Sequence, residues 1–133
     1  MLGIDCVDVP RLQEAMDISQ LNISFGSSKL LTSLPTNDSR RVEISHIGSA
    51  EEYSNFCIKD LYKYVDTEFV LIVQHDGFVL NANSWEPEFQ KYDYIGVPWF
   101  VNDILIKKYG FPENLRGAFI VGNGGFSFRT RNY

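Results

Sequence analysis

Apolar and polar positions follow two different periods along this chain, and the switches between them mark out its elements. Phe69 to Val73 is an unbroken apolar run stopped by Gln74-His75-Asp76-Gly77. A short run of this kind is the pattern of a strand buried on both faces, and the polar residues after it predict a turn at its carboxyl end. Open α/β sheets bind ligands in the crevice beyond the carboxyl ends of parallel strands. The rest of the chain is therefore read outward from this stretch.

Upstream, Leu2 to Val7 predicts a short strand. Asp8 is placed to cap a helix, Pro10 suits its first turn, and Leu12, Ala15, Met16 and Ser19 share one face at helical spacing. These give a helix from Pro10 to Gln20. Ser27 to Thr32 reads as a second strand, Ser33 to Arg41 as a polar surface loop, and Val42 to Ile47, which alternates, as a strand nearer the sheet edge. His46 falls on the face of Val42 and Ile44, which predicts a partly buried structural histidine. Ser49 and Glu52 make an S-x-x-E capping box. Tyr53, Phe56, Cys57, Leu61 and Tyr64 then lay an aromatic stripe along a helix from Ala50 to Tyr64.

Downstream, Asn81 to Ser84 can open a short helix through Trp85, Glu88 and Phe89, and Tyr92 to Val97 reads as a strand closed by Pro98. Phe100 to Arg116, with Gly110 and Pro112, predicts a long mobile loop holding one helical turn. Ala118 to Val121 and Phe126 to Phe128 are strand pieces flanking Gly122-Asn123-Gly124-Gly125, and Arg129 to Tyr133 resembles the first turn of a helix. Alternating strands and helices predict one α/β domain over residues 1–133, with a mostly parallel sheet flanked by helices through right-handed crossovers.

A hydrophobic fraction of 44% and an aromatic fraction of 14% in 133 residues belong to a folded domain. The net charge of −5 argues against nucleic acid or an anionic membrane surface as the main partner. The two cysteines, Cys6 and Cys57, lie in apolar settings without metal or redox spacing and read as reduced core residues. No apolar run reaches the length of a membrane helix, and no basic region followed by an apolar run opens the chain, so a cytoplasmic setting is expected.

Three places can carry chemistry. Asp76, followed at once by a glycine, suits a metal ion or a sugar hydroxyl, and equally a solvated turn. The turn from Asp5 to Pro10 could receive a nucleotide or serve only to cap the helix. Three glycines around Asn123 permit positive φ and close approach of a ligand, although Asn-Gly is also a hairpin signal. Tyr92, Tyr94 and Trp99 offer flat faces to a sugar ring or nucleobase. The phosphate-cradling Lys-Ser/Thr pair of a P-loop is absent, neither histidine lies beside a plausible nucleophile in sequence, and no nucleophile elbow occurs.

VLIVQHDGFVLNANSW, EPEFQKYDYIGVPW and VGNGGFSFR resemble consecutive blocks of an uncharacterised, largely bacterial, glycosyltransferase-like domain family. That family is similar in plan to the GT-A (Rossmann-like) nucleotide-sugar transferases, including the galactosyltransferases. IDCVDVPRLQEAMDISQLNI, KLLTS and EEYSNFCIKDLYKY extend the resemblance over nearly the whole chain. It implies transfer of a hexose from a nucleotide sugar, UDP-linked, to a glycan or other hydroxyl acceptor, or a non-catalytic module that keeps the nucleotide or carbohydrate crevice. Gln74-His75-Asp76 stands where these enzymes carry an Asp-x-Asp metal motif, which implies Asp76, with His75 or Gln74 secondary, as ligand of Mn²⁺ or Mg²⁺. One carboxylate and a Gln carbonyl are a weaker set for a hard cation than two carboxylates. Asp5 and Asp8 would lie near the nucleotide, and Asn123, Gly124 and Gly125, with Trp99, would border donor sugar and acceptor. The acceptor's base in these enzymes lies downstream of the Gly-Gly segment, and no acidic residue follows Glu113. The resemblance thus implies a chain incomplete at its C-terminus that transfers sugar poorly alone, with Asp93 as the upstream carboxylate left for the base.

Overall fold

Asp5 turns the chain out of the strand Leu2–Ile4 (β1), and Asp8 caps the helix Val9–Gln20 (α1) by accepting from the Arg11 amide at 3.3 Å. The computed structural model describes all residues except Asn123, Asn132 and Tyr133. It continues through Lys29–Thr32 (β2), Arg41–Glu43 (β3), helix Ala50–Lys59 (α2) and Phe69–Val73 (β4). Tyr94–Gly96 (β5), Pro98–Phe100 (β6), helix Asp103–Tyr109 (α3), Phe119–Val121 (β7) and Ser127–Thr130 (β8) complete the order. Short 3₁₀ turns at Leu61–Tyr64, Ala82–Ser84, Pro87–Lys91 and Glu113–Leu115 join them.

The main sheet runs β3-β2-β1-β4-β8-β5, and β6 and β7 form a separate two-stranded ribbon. β1, β2, β3 and β4 are mutually parallel, whereas β8 is antiparallel to both of its neighbours. The domain is α/β, a mostly parallel sheet flanked by helices. After β1 the chain builds outward to β2 and β3, then returns to lay β4 on the other side of β1. That reversal leaves a crevice at the carboxyl ends of β1 and β4.

α1 lies against one face of the sheet. A side chain at Gly3 of β1 would meet Met16 Sδ at 2.6 Å and Leu12 Cδ1 at 2.9 Å, so glycine is what lets the helix approach so closely. Leu12, Met16, Leu30 and Val73 are buried in the core under α1. On the other face, Leu31, Ile44, Val70 and Ile72 meet Tyr53, Phe56 and Cys57 of α2. The Ser49 hydroxyl accepts from the Glu52 amide at 3.1 Å, while the Glu52 carboxylate accepts from the Gly48 amide at 2.6 Å, a capping box reaching one residue further back than the sequence implies. Ser49→Ala should therefore cost about 1 kcal/mol, read as a lower urea midpoint at unchanged slope.

Several expectations change. β4 is buried along one face, through Val70 and Ile72, and on the other Val73 is buried under α1, but Phe69 and Leu71 are only half-buried. His46 is exposed beyond the end of the edge strand β3, with Nδ1 3.2 Å from the Ser33 hydroxyl, rather than partly buried. α2 ends at Lys59 and passes into a 3₁₀ turn before Tyr64. Pro98 opens a strand instead of only closing one. The expected loop from Phe100 contains α3, capped by Asn102 at one end and by Gly110 in the left-handed region, φ 70°, at the other. Arg129 and Thr130 are strand, not a helical turn, because they pair with Val70 and Phe69.

Candidate functional site

β4 ends in a two-residue turn: the Gln74 amide donates to the Gly77 carbonyl at 2.9 Å and the Gly77 amide to the Gln74 carbonyl at 3.2 Å. His75 and Asp76 are thereby held at the tip, His75 half-buried and Asp76 exposed. Next to them, at the end of β1, one Asp5 carboxylate oxygen accepts from the amides of Val7 at 2.6 Å and Asp8 at 2.9 Å. That oxygen shapes the turn into α1. The other faces His75, 3.9 Å from Nδ1. Asp8 is spent as the α1 cap. The two readings of this first turn, capping and ligand-facing, thus divide between Asp8 and the second oxygen of Asp5.

The glycine segment reaches this crevice from the far side of the sheet. The Gly122 amide donates to the Val97 carbonyl at 2.9 Å, and its own carbonyl accepts the Tyr94 hydroxyl at 2.9 Å. A side chain at Gly122 would strike the Trp99 indole, and one at Gly125 would strike the Gln74 side chain. A side chain at Gly77 would come within 2.8 Å of Phe126 Cβ. The segment is therefore no hairpin: β7 before it and β8 after it lie in different sheets. It is pinned by backbone and indole at one end and pressed onto Gln74 at the other, and each contact requires the missing Cβ. Asn123 lies outside the described residues.

Sheet order translates these contacts into a row across the carboxyl ends of the parallel strands: Asp5 after β1, Gln74 to Gly77 after β4, Gly125 before β8, Gly96 at the end of β5 and Trp99 in β6. Asp93 does not join it. Its carbonyl accepts from the Thr130 amide at 2.9 Å, and Thr130 lies opposite Phe69, the first residue of β4. The length of a strand, roughly 13 Å at about 3.3 Å per residue, separates it from the crevice. Tyr92 is exposed beyond the same end.

A family model matches residues 37–133 and describes a protein of unknown function (DUF5672). The chain belongs to the DUF5672 family. No curated protein and no solved structure matches it. The DUF5672 match takes in the His75-Asp76 turn, Trp99 and the glycine segment, while β1 and α1, with Asp5 and Asp8, fall before it.

The donor chemistry of the DUF5672 turn is limited. Among the described residues no three His, Cys, Asp or Glu side chains are grouped where they could hold a metal ion. One Asp5 oxygen is committed to amides and the Gln74 side chain is held against Gly125. That falls short of the six or more oxygens a hard divalent cation takes, so the side chains present do not by themselves fit Mn²⁺ or Mg²⁺.

Beside the crevice, on the α1 side of the sheet, a groove of about 1120 Å³ runs over Phe69, Leu71, Ile95, Phe126 and Phe128. Phe69 stacks on Phe128 at 5.1 Å between ring centres, and Trp85 meets the same ring edge-on at 5.1 Å. This groove is the uncovered face of β4 seen from solvent. Sequence reasoning missed it because an unbroken apolar run does not say whether both faces are covered. Gly96 and Gly122, which the contacts make central, carried a signal only in their glycine content. Among the described residues no helix is long and apolar enough to cross a membrane.

Proposed function

We propose that this DUF5672 chain binds a nucleotide sugar, UDP-linked, in the manner of the GT-A glycosyltransferases it resembles, and presents its hexose to a hydroxyl acceptor. One observation carries the reading: the glycine segment is laid across the carboxyl ends of β4 and β5 and pressed onto Gln74, beside the point where the strand order reverses. Such a crevice is where doubly wound sheets take dinucleotides and mononucleotides. Glycine backbone lets a diphosphate come close, and the Trp99 indole beside Gly122 offers a flat face for a ring. Asp76, exposed at the turn, is the carboxylate nearest to free, and it would accept hydrogen bonds from sugar hydroxyls.

A second reading, a module that binds without transferring, is favoured by the place of Asp93. Transfer needs a base at the acceptor hydroxyl, and Asp93 stands at the other end of the sheet. Calorimetric titration with UDP and UDP-hexoses, with and without Mn²⁺, tests the shared part. Wild type should bind and Gly125→Ala, which displaces Gln74, should lose at least tenfold in affinity. Absence of binding by wild type under both conditions would sink the nucleotide reading. Release of UDP from UDP-hexose in the presence of glycan acceptors then separates transferase from module.

A further inference from the structure

The α2 side of the sheet carries a buried cation that the crevice does not use. Arg129, on β8, is 7% exposed. Its guanidinium donates to the Ser127 hydroxyl at 2.9 Å and lies over the Tyr94 ring, 5.1 Å from its centre. Among the described residues its Nε has no hydrogen-bond partner and no carboxylate forms an ion pair with it. The other ionisable groups turned towards it are the Tyr53 phenol and the Cys57 thiol. Burial pushes both up from their ordinary values, and both stay neutral. A guanidinium withdrawn from water without a counter-charge is strongly unfavourable, and arginine does not escape by losing its proton.

A cavity of about 220 Å³ opens beside this side chain, lined by Cys57, Tyr62, Val70, Arg129, Thr130 and Arg131 among others. It has room for an ion several times the ~30 Å³ share of one water. We propose that Arg129 is the floor of a binding site for a small oxyanion, phosphate or carboxylate, with Arg131 at its rim. A planar fork of N–H donors matches such an anion in geometry and charge. The site lies on the opposite face from α1 and at the amino end of β4, so it stands independently of any ligand at the crevice.

The test follows thermal unfolding of the 133-residue chain in sodium phosphate, sodium sulfate and sodium acetate, each against sodium chloride at matched ionic strength. An anion that binds only the folded chain raises its midpoint as its concentration rises. Wild type should show a saturable rise in phosphate or acetate beyond that in chloride, and the Arg129 Nε–H resonance should move in step. The anion giving the larger rise assigns the source as phosphate-like or carboxylate-like. Arg129→Leu should lose the response and, in chloride, unfold no earlier than wild type, since it removes an uncompensated charge. If Arg129→Leu does not fold, Arg131→Gln carries the test and should weaken binding about tenfold. A wild type that responds equally to all salts, or variants that respond as wild type does, would overturn the proposal.

Discussion

Gly96→Ala should lower stability by about 2–3 kcal/mol, the scale of forcing a methyl group into filled space, and the unfolding midpoint by on the order of 10 °C. The added Cβ would run into the Gly122 carbonyl and lie 2.7 Å from Tyr94 Cε1 and 2.9 Å from its hydroxyl oxygen. Neither obstacle is a flexible chain end. The carbonyl belongs to backbone fixed by the Val97 carbonyl behind it, and the Tyr94 ring is tied to that same carbonyl by its hydroxyl. Relief requires the whole glycine segment to lift from β5, so the nucleotide affinity proposed for the crevice should fall together with stability. Calorimetric unfolding measures the first effect and titration the second. A loss below about 0.5 kcal/mol would mean the segment is not held over Gly96.

The second large effect is expected at Asp38, in the loop before β3. Its carboxylate accepts from the Arg40 amide at 2.8 Å, from Arg40 Nε at 2.9 Å and Nη2 at 2.6 Å, and from the Gln13 amide at 3.1 Å. Arg40 also reaches Asp17 at 2.8 Å, which ties the loop to α1. The Asp38 side chain is 8% exposed, and the Arg40 guanidinium holds its carboxyl well below the usual carboxylate range. A group whose folded pKa is depressed contributes stability above its unfolded value, near 3.9, and loses it as pH falls from there through the folded pKa. Asp38→Asn should therefore cost about 2–4 kcal/mol at neutral pH, because it leaves Arg40 half-buried and short of a partner. The difference from wild type should hold down to about pH 4 and shrink below it. Urea titrations of both proteins over that range measure it, and a constant gap to pH 2 would refute the role given to Asp38.

Much of the sheet was legible in the chain because its strands carry period and punctuation together. Asp8 with Pro10, and Ser49 with Glu52, fixed helix starts to within a residue. The apolar run before Gln74 located the turn at which Asp5, Gln74 and His75 meet. What could not be read was pairing between distant segments. Phe126 to Phe128 and Ala118 to Val121 look alike as strands, yet one enters the main sheet and the other pairs with Pro98 to Phe100. Only tertiary contact separates them. α3 is longer than the single helical turn expected there, although Asn102, Lys107, Lys108 and Gly110 are start and stop signals, since Pro112 and the exposed Ile104 and Tyr109 weaken its apolar face. Asp93, left for the base only as an upstream carboxylate, lies at the far end of the sheet. The sequence alone does not say which end of β5 faces the crevice.

The position of β8 also bears on how the chain reaches its native state. β1 finds β2 across about 27 residues, but β8 pairs with β4 across about 60 and β1 with β4 across about 70. Closing a segment of that length costs on the order of 3–4 kcal/mol of chain entropy before any contact is made. Partners so distant in sequence also slow folding. The parallel half, β1 to β4 with its two helices, lies wholly upstream of β8 in sequence. β8 then threads between β4 and β5 as an antiparallel wedge and brings the glycine segment down onto Gln74. The candidate crevice is thus completed by the last of these strands in sequence, and a growing chain does not have it until that insertion is made.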